Sequence, residues 1–577
     1  MTVWLATCLI TGSAFASESR SPYDEYWDYE LEQDPFRATT SGDYRFNDRV
    51  PDVSEPAQRA RLKKLGEFKA KLDAPGQSLN ADILRFILEH ELALGLFAPW
   101  RIPFLSDAGF HMDMGYVVSS TRFERVEDYH DYLARLEGLP GYLEQNRVNM
   151  QLGIEAGFTQ PREIMDNILN SFDAQVTGSA ETHPLYAPFR ELPDSLDPKQ
   201  QSRLQEQARR VLEQKVIPAY AAIRDFMRER YLPNARTSLG ASELPDGEAY
   251  YAALVRYYTT LDSATPDGVH ERGLREVARI RAEMVDVIAD TGFEGSFDAF
   301  LDFLRTDPQF YANTPEELLM RAAWIAKKTD GRLPAFFGKL PRQPYSVEPV
   351  PEEIAPNYTA GRYVPAPPGA PRGGQYWVNT YALETRPLYQ LVALSLHEGV
   401  PGHHLQGALA YEIEDAPEFR KQFYPHAYGE GWGLYAEKLG VEMGMYETPY
   451  DHFGRLSYEM WRACRLVVDT GIHAKGWTRQ QAVDYLASNA ALSMHEVGTE
   501  IDRYIAWPGQ ALAYKIGELT IWDLRREAEA ALGDAFDIRD FHDVVLTSGG
   551  VPLDILRTMV GQYIADRLES KRATAVR

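Results

Sequence analysis

Nine prolines fall between residues 341 and 371, at positions 341, 344, 349, 351, 356, 365, 367, 368 and 371. Proline lacks the backbone donor and crowds the preceding turn, so no α-helix runs through this stretch. The expected organisation is an N-terminal helical region, 17–340, followed by a region, 341–577, that opens with short β-forming runs and returns to helix. In the first region Val126, Tyr129, Leu133 and Leu136 recur at spacings of three and four, as do Leu274, Val277, Ile280, Met284 and Ile288. Thr314-Pro315-Glu316-Glu317 combines a capping hydroxyl, a first-turn proline and acids at the positive helix end. In the second region 357–364 and 375–380 read as short strands. The pattern predicts a mainly α fold with a small β-sheet.

The chemistry concentrates in His397-Glu398-Gly399-Val400-Pro401-Gly402-His403-His404. A His-Glu pair followed by a second His about one turn later is the zincin arrangement, in which two imidazoles hold Zn²⁺ and the Glu acts as base. Here four residues separate Glu398 from His403 and five separate it from His404. On a straight helix His404 lies two turns from His397, too far to share an ion. Pro401 argues for a looped-out turn over 399–402 that brings His403 into the second ligand position, with His404 as the alternative. Glu430, between Gly429 and Gly431, is the candidate third ligand, and Glu437 follows two turns later on the same face. A bare His-Glu-x-x-His string arises by chance; the downstream Glu430 is what gives this one weight.

The strings HEGVPGHHLQ, EGWGLYAE, VDTGIHAKGW and PGQALAYKIG together resemble the large bacterial family labelled domain of unknown function 885, which is regarded as related to zinc peptidases. The interval to Glu430 is also similar to the thimet-oligopeptidase and thermostable-carboxypeptidase families, which lack the Val400-Pro401 insertion. The resemblance implies a zincin-like helical metallopeptidase with a deep cleft between its two halves. It implies one zinc ion on His397, His403 and Glu430, Glu398 as general base, and short peptides as substrate. A strand in the place of 375–380, which includes Asn379, pairs with extended substrate in such enzymes, with an ordinary strand of a small sheet as the equal alternative. Tyr514 is the candidate oxyanion donor, with Tyr504 in reserve.

Arg462, Arg465, Asp469 and His473 interrupt an apolar helical pattern over 454–473, and the last three share one face. Pairs from Arg465 to Asp469 and from Asp469 to His473 are expected. The stripe is either a structural network or a hold on substrate, with Arg462, Arg465 and His473 as substrate-binding candidates. Two other functions stay open: a zinc amidase or esterase acting on a non-peptide substrate, and a non-catalytic periplasmic binding protein with a structural metal.

Residues 1–16 are apolar and end in Ala14-Phe15-Ala16, the small-x-small pattern of a secretory signal peptide, without the usual basic n-region. A secreted or periplasmic protein is expected; a buried first helix, or a lipoprotein anchor at Cys8, are the alternatives. Beyond residue 16 the sole cysteine is Cys464, which permits no internal disulfide. No other apolar run is long enough to span a membrane. A formal net charge of −24 argues against a nucleic-acid partner. Tyr23, Tyr26, Trp27 and Tyr29 form an aromatic cluster that reads as an arm packed on the body.

Overall fold

The computed structural model describes residues 21–575, apart from 73, 353 and 367–371. The signal-peptide reading and Cys8 lie outside the described residues.

Helices carry the fold, and several start where the sequence supplies a cap, as at Thr265 and Thr314. The long helix α1 (Val126–Ala156) buries Tyr129, Leu133 and Leu136 and ends at Gly157, whose φ of 71° is the left-handed C-cap that glycine favours. Helix α2 (Gly247–Thr259) leads to α3 (Pro266–Thr291), where Thr265 accepts from the Gly268 N–H at 3.2 Å. Val277, Ile280, Met284 and Ile288 are buried, but Leu274 is 44% exposed and falls outside the stripe expected for it. The cap at Thr314 forms as its residues predict, accepting from the Glu317 N–H at 3.1 Å.

The proline-rich stretch holds three strands, β1 (Tyr345–Pro349), β2 (Gly361–Val364) and β3 (Gly374–Val378), in the order β1-β3-β2. β3 runs parallel to β1 and antiparallel to β2. This corrects the expectation that the segment 375–380 pairs with substrate. A central strand spends both ladder edges on its neighbours, and the open edges belong to β1 and β2.

Helix α4 (Leu388–Glu398) follows, then α5 (His403–Tyr411), α6 (His426–Glu442), α7 (Pro449–Lys475), α8 (Met494–Ala506) and α9 (Ala513–Leu532). Glycines let the helices approach. A Cβ at Gly273 of α3 would lie 2.7 Å from the Leu466 Cβ of α7, and one at Gly431 of α6 would lie 2.5 Å from the Gly517 Cα of α9. The largest core joins Tyr26, Leu84 and Tyr251 to Leu396, Trp432 and Leu524, so packing crosses residue 340 without a break. A second core gathers residues between 36 and 235 around α1. The aromatic arm packs as expected, Tyr26 lying edge-on to Phe68 and Phe419.

The polar stripe of α7 does not pair along its own helix. The Asp469 carboxylate accepts from the Tyr251 hydroxyl of α2 at 2.5 Å and from the Gly509 N–H at 3.0 Å. His473 accepts from the Ala241 N–H at 3.0 Å and donates to the Tyr504 carbonyl at 2.9 Å. Both side chains are fully buried, where neighbouring elements offer aligned partners and an intrahelical pair would leave those donors and acceptors unmet. Below them the wholly buried Lys515 of α9 meets Glu459 of α7 at 2.7 Å and Glu518 at 2.5 Å.

Candidate functional site

Helix α4 delivers His397 and Glu398 at its last turn, and a turn over 399–402 separates it from α5, which opens with His403. The Val400–Pro401 peptide bond is cis. Gly402 has no substitute in this turn, because a Cβ there would strike the carbonyl oxygens of His397 and Leu396. The Trp432 indole of α6 pins the turn by donating to the Pro401 carbonyl at 2.8 Å. His403 is thereby brought beside His397, their ring centroids 4.7 Å apart and nearly perpendicular.

Glu430 enters from the second turn of α6. Its Oε2 lies 3.6 Å from the Nε2 of His397 and 3.6 Å from the Nε2 of His403. The three ligand atoms all fall within 4.8 Å of one another. Donors about 2.1 Å from a tetrahedral ion lie about 3.4 Å apart, so the two separations are close to the spacing such an ion needs. Gly433, one turn on, admits the ring, since a Cβ there would sit 2.5 Å from the His397 Cε1.

Around these three atoms the electrostatics favour a cation. His397 Nδ1 meets the Glu437 carboxylate at 2.7 Å, which fixes the ring and turns Nε2 toward Glu430. Burial works against a proton on His397, yet Glu430, Glu437 and Glu398 together push its pKa up to about 10. Burial likewise opposes the charge on Glu430, but its bonds to His397 and His403 hold the carboxyl well below the ordinary range. Glu398 is half-buried and accepts from the Tyr363 N–H at 2.8 Å, on the open edge of β2.

The remaining sequence candidates separate into two groups. His404 turns away from the triad: it accepts from the Tyr363 hydroxyl or donates to it at 3.1 Å, meets the Gln343 carbonyl at 3.1 Å, and burial lowers its pKa to about 4. Asn379 is wholly buried, and its amide donates only to the carbonyls of Ala355, Tyr358 and Thr359, which ties down the loop before β2 and leaves no donor for a substrate. His473 is spent on Ala241 and Tyr504, as described above. Tyr504 is 1% exposed, its hydroxyl held by Trp461 at 3.0 Å and Arg465 at 2.9 Å. Arg462 lies over the rings of Tyr458 and Trp461, at 4.6 and 4.2 Å, and makes no ion pair among the described residues. Arg465 pairs with Glu500 at 3.0 Å, and Tyr514 stacks under its guanidinium at 4.2 Å.

Two side chains near the triad are absent from the candidates drawn from sequence. The Tyr424 hydroxyl reaches Glu430 at 3.4 Å while the side chain remains half-exposed, which makes it the phenol beside the ligand atoms. His426 lies within the field of Glu430, in a box formed by Tyr424, Tyr258 and Trp507. Their one sequence signal is proximity, six and four residues before Glu430. Within β2, exposed Arg362 interacts electrostatically with Glu398 and Glu430 and with Tyr116, in the helix Asp113–Ser120.

The family described as "Bacterial protein of unknown function (DUF885)" matches residues 35–560. A crystal structure described as that of "the putative lipoprotein from Colwellia psychrerythraea" is 28% identical, with a TM-score of 0.88 over 94% of this chain and 98% of that one. A second, of a "putative lipoprotein of unknown function from Shewanella oneidensis", shares the fold at 17% identity, with a TM-score of 0.70 over 94% of this chain and 100% of that one. No curated protein matches the chain.

Proposed function

The chain belongs to the DUF885 family, and we propose that it is a zincin-like metal-dependent hydrolase that cleaves amide bonds in short peptides. The observation that carries this reading is the convergence of His397, His403 and Glu430 within 4.8 Å, with Glu398 directly beside them. His397 and His403 would present Nε2 and Glu430 its Oε2 to a single zinc ion, the donor set and count of a catalytic zinc site. When bound, zinc supplies Lewis acidity to a carbonyl and to a water.

The other steps belong to the chain. Glu437 holds His397 in the tautomer that leaves Nε2 free for the ion. Glu398 follows His397 immediately, so its carboxylate addresses the open side of the site; it takes a proton from the attacking water and returns it to the departing amine. An extended substrate fits the unpaired edge of β2, where the Tyr363 N–H already meets Glu398. Tyr424, beside Glu430, is placed to donate to the carbonyl oxygen as negative charge develops on it.

An extracytoplasmic location is supported by the structural neighbours described as lipoproteins. Among the described residues no helix is long and apolar enough to cross a membrane.

Glu398→Gln tests the reading. The amide keeps the size and hydrogen-bonding reach of the carboxylate but accepts no proton, so zinc content and thermal stability are expected to hold. Peptide hydrolysis is expected to fall roughly 10²- to 10⁴-fold. A variant that retains zinc and turns over at the native rate overturns the assignment.

A further inference from the structure

We infer that Arg465 and Arg503, with the hydroxyl of Tyr514, form a carboxylate subsite beside the triad, and that the substrates are peptides with a free C-terminal carboxylate. The inference rests on the hydrolase reading and names its substrate class.

Arg465 of α7 is 2% exposed. Its Nε donates to the Tyr504 hydroxyl at 2.9 Å and its Nη2 to Glu500 at 3.0 Å, while Nη1 is shut off from solvent without a hydrogen-bond partner. Arg503 of α8 donates to Gln510 at 2.8 Å and lies 3.6 Å from the same Glu500, with 26% of its side chain exposed. One carboxylate therefore serves two guanidiniums, and a positive charge is left over in a chain whose net charge is −24. Tyr514 joins them: its ring lies 4.2 Å under the Arg465 guanidinium, and its phenol acts electrostatically on Arg503. An anion that two guanidiniums and a phenol converge on is most simply a carboxylate.

The cluster adjoins the site. The Arg503 guanidinium lies 5.9 Å from the Trp507 ring, which lies 6.1 Å from His426; the His426 ring in turn lies 5.7 Å from Tyr424, whose hydroxyl meets Glu430 at 3.4 Å. Arg462, expected from sequence to share this role with Arg465, is stacked on Tyr458 and Trp461 and yields its place to Arg503.

The test compares a peptide ending in a free acid with its C-terminal amide, on the native protein and on Arg503→Gln. Binding of the two C-terminal products, a free amino acid and its amide, is followed separately by tryptophan fluorescence. Trp461 and Trp507 lie 4.6 and 5.9 Å from the two guanidiniums and report occupancy without turnover. The acid is expected to be cleaved and bound roughly 10- to 100-fold better than the amide, a preference that Arg503→Gln abolishes mainly through KM. Acid and amide handled alike by the native protein would overturn the subsite while leaving the hydrolase reading intact. Arg503-dependent binding of the acid with no hydrolysis of any peptide would uphold the subsite and sink the hydrolase.

Discussion

At the scale of single residues, ligand selection depends on what each imidazole does with its second nitrogen. His397 gives Nδ1 to Glu437 and keeps Nε2 for the triad, whereas His404 has both nitrogens engaged, with Tyr363 and Gln343. Glu437→Gln is therefore expected to weaken zinc binding about 10-fold, within the range for outer partners of metal ligands. Glu430→Gln is expected to weaken it more, because a ligand atom and its charge are both affected. A chelator-competition titration measures both, and a Glu437→Gln affinity equal to native would show that the carboxylate does not act through His397. The triad was legible in sequence, since His397, His403 and Glu430 carry spacing signals. Glu437 was legible only as an acid on the right face of α6. Its partner sits 40 residues away on another helix, and no local pattern encodes that choice.

At the scale of elements, α6 is shaped by absent side chains. Gly429 accommodates the Tyr424 ring, Gly431 the backbone of α9, and Gly433 the imidazole of His397. Alanine is about 1 kcal/mol better than glycine in a helix interior, so Gly433→Ala favours the helix while its methyl collides with the ligand ring. The expected outcome is a folded protein, within a few degrees of native on thermal melting, that has lost most of its zinc. Full zinc content in Gly433→Ala would mean that the ring has room the structure does not show. The helices and their caps could be read in advance, because apolar spacing and capping residues are local. The role of β3 could not: whether a strand is central or at an edge depends on which segments return beside it, and the prolines said only where helices stop.

For the whole molecule, the partners of buried polar groups set the response to acid. His111, His473 and His542 are each lowered to about 3 by burial, so the folded protein refuses protons that the unfolded chain takes up below about pH 6.5. Stability carried by these groups is complete above that pH and is lost as pH falls toward 3. Asp113 and Asp469, raised by burial to about 6 and 7, act in the opposite sense, but two carboxyls do not offset three imidazoles with larger shifts. The melting temperature is expected to drop between pH 6.5 and 4.5, and a flat or rising profile over that interval would contradict the account. Such contacts, Asp469 with Tyr251 some 218 residues apart, lay beyond what spacing within α7 could show.

Cys464, wholly buried in α7, has its thiol pushed up by burial and is the sole cysteine beyond residue 16. The thiolate is the form that reacts, so a labelling reagent must wait for the helices around it to part. The chain thus carries its own clock: the rate at which Cys464 is trapped reads how often the core opens, and a bound metal that slows the trapping reveals how firmly the site ties that core shut.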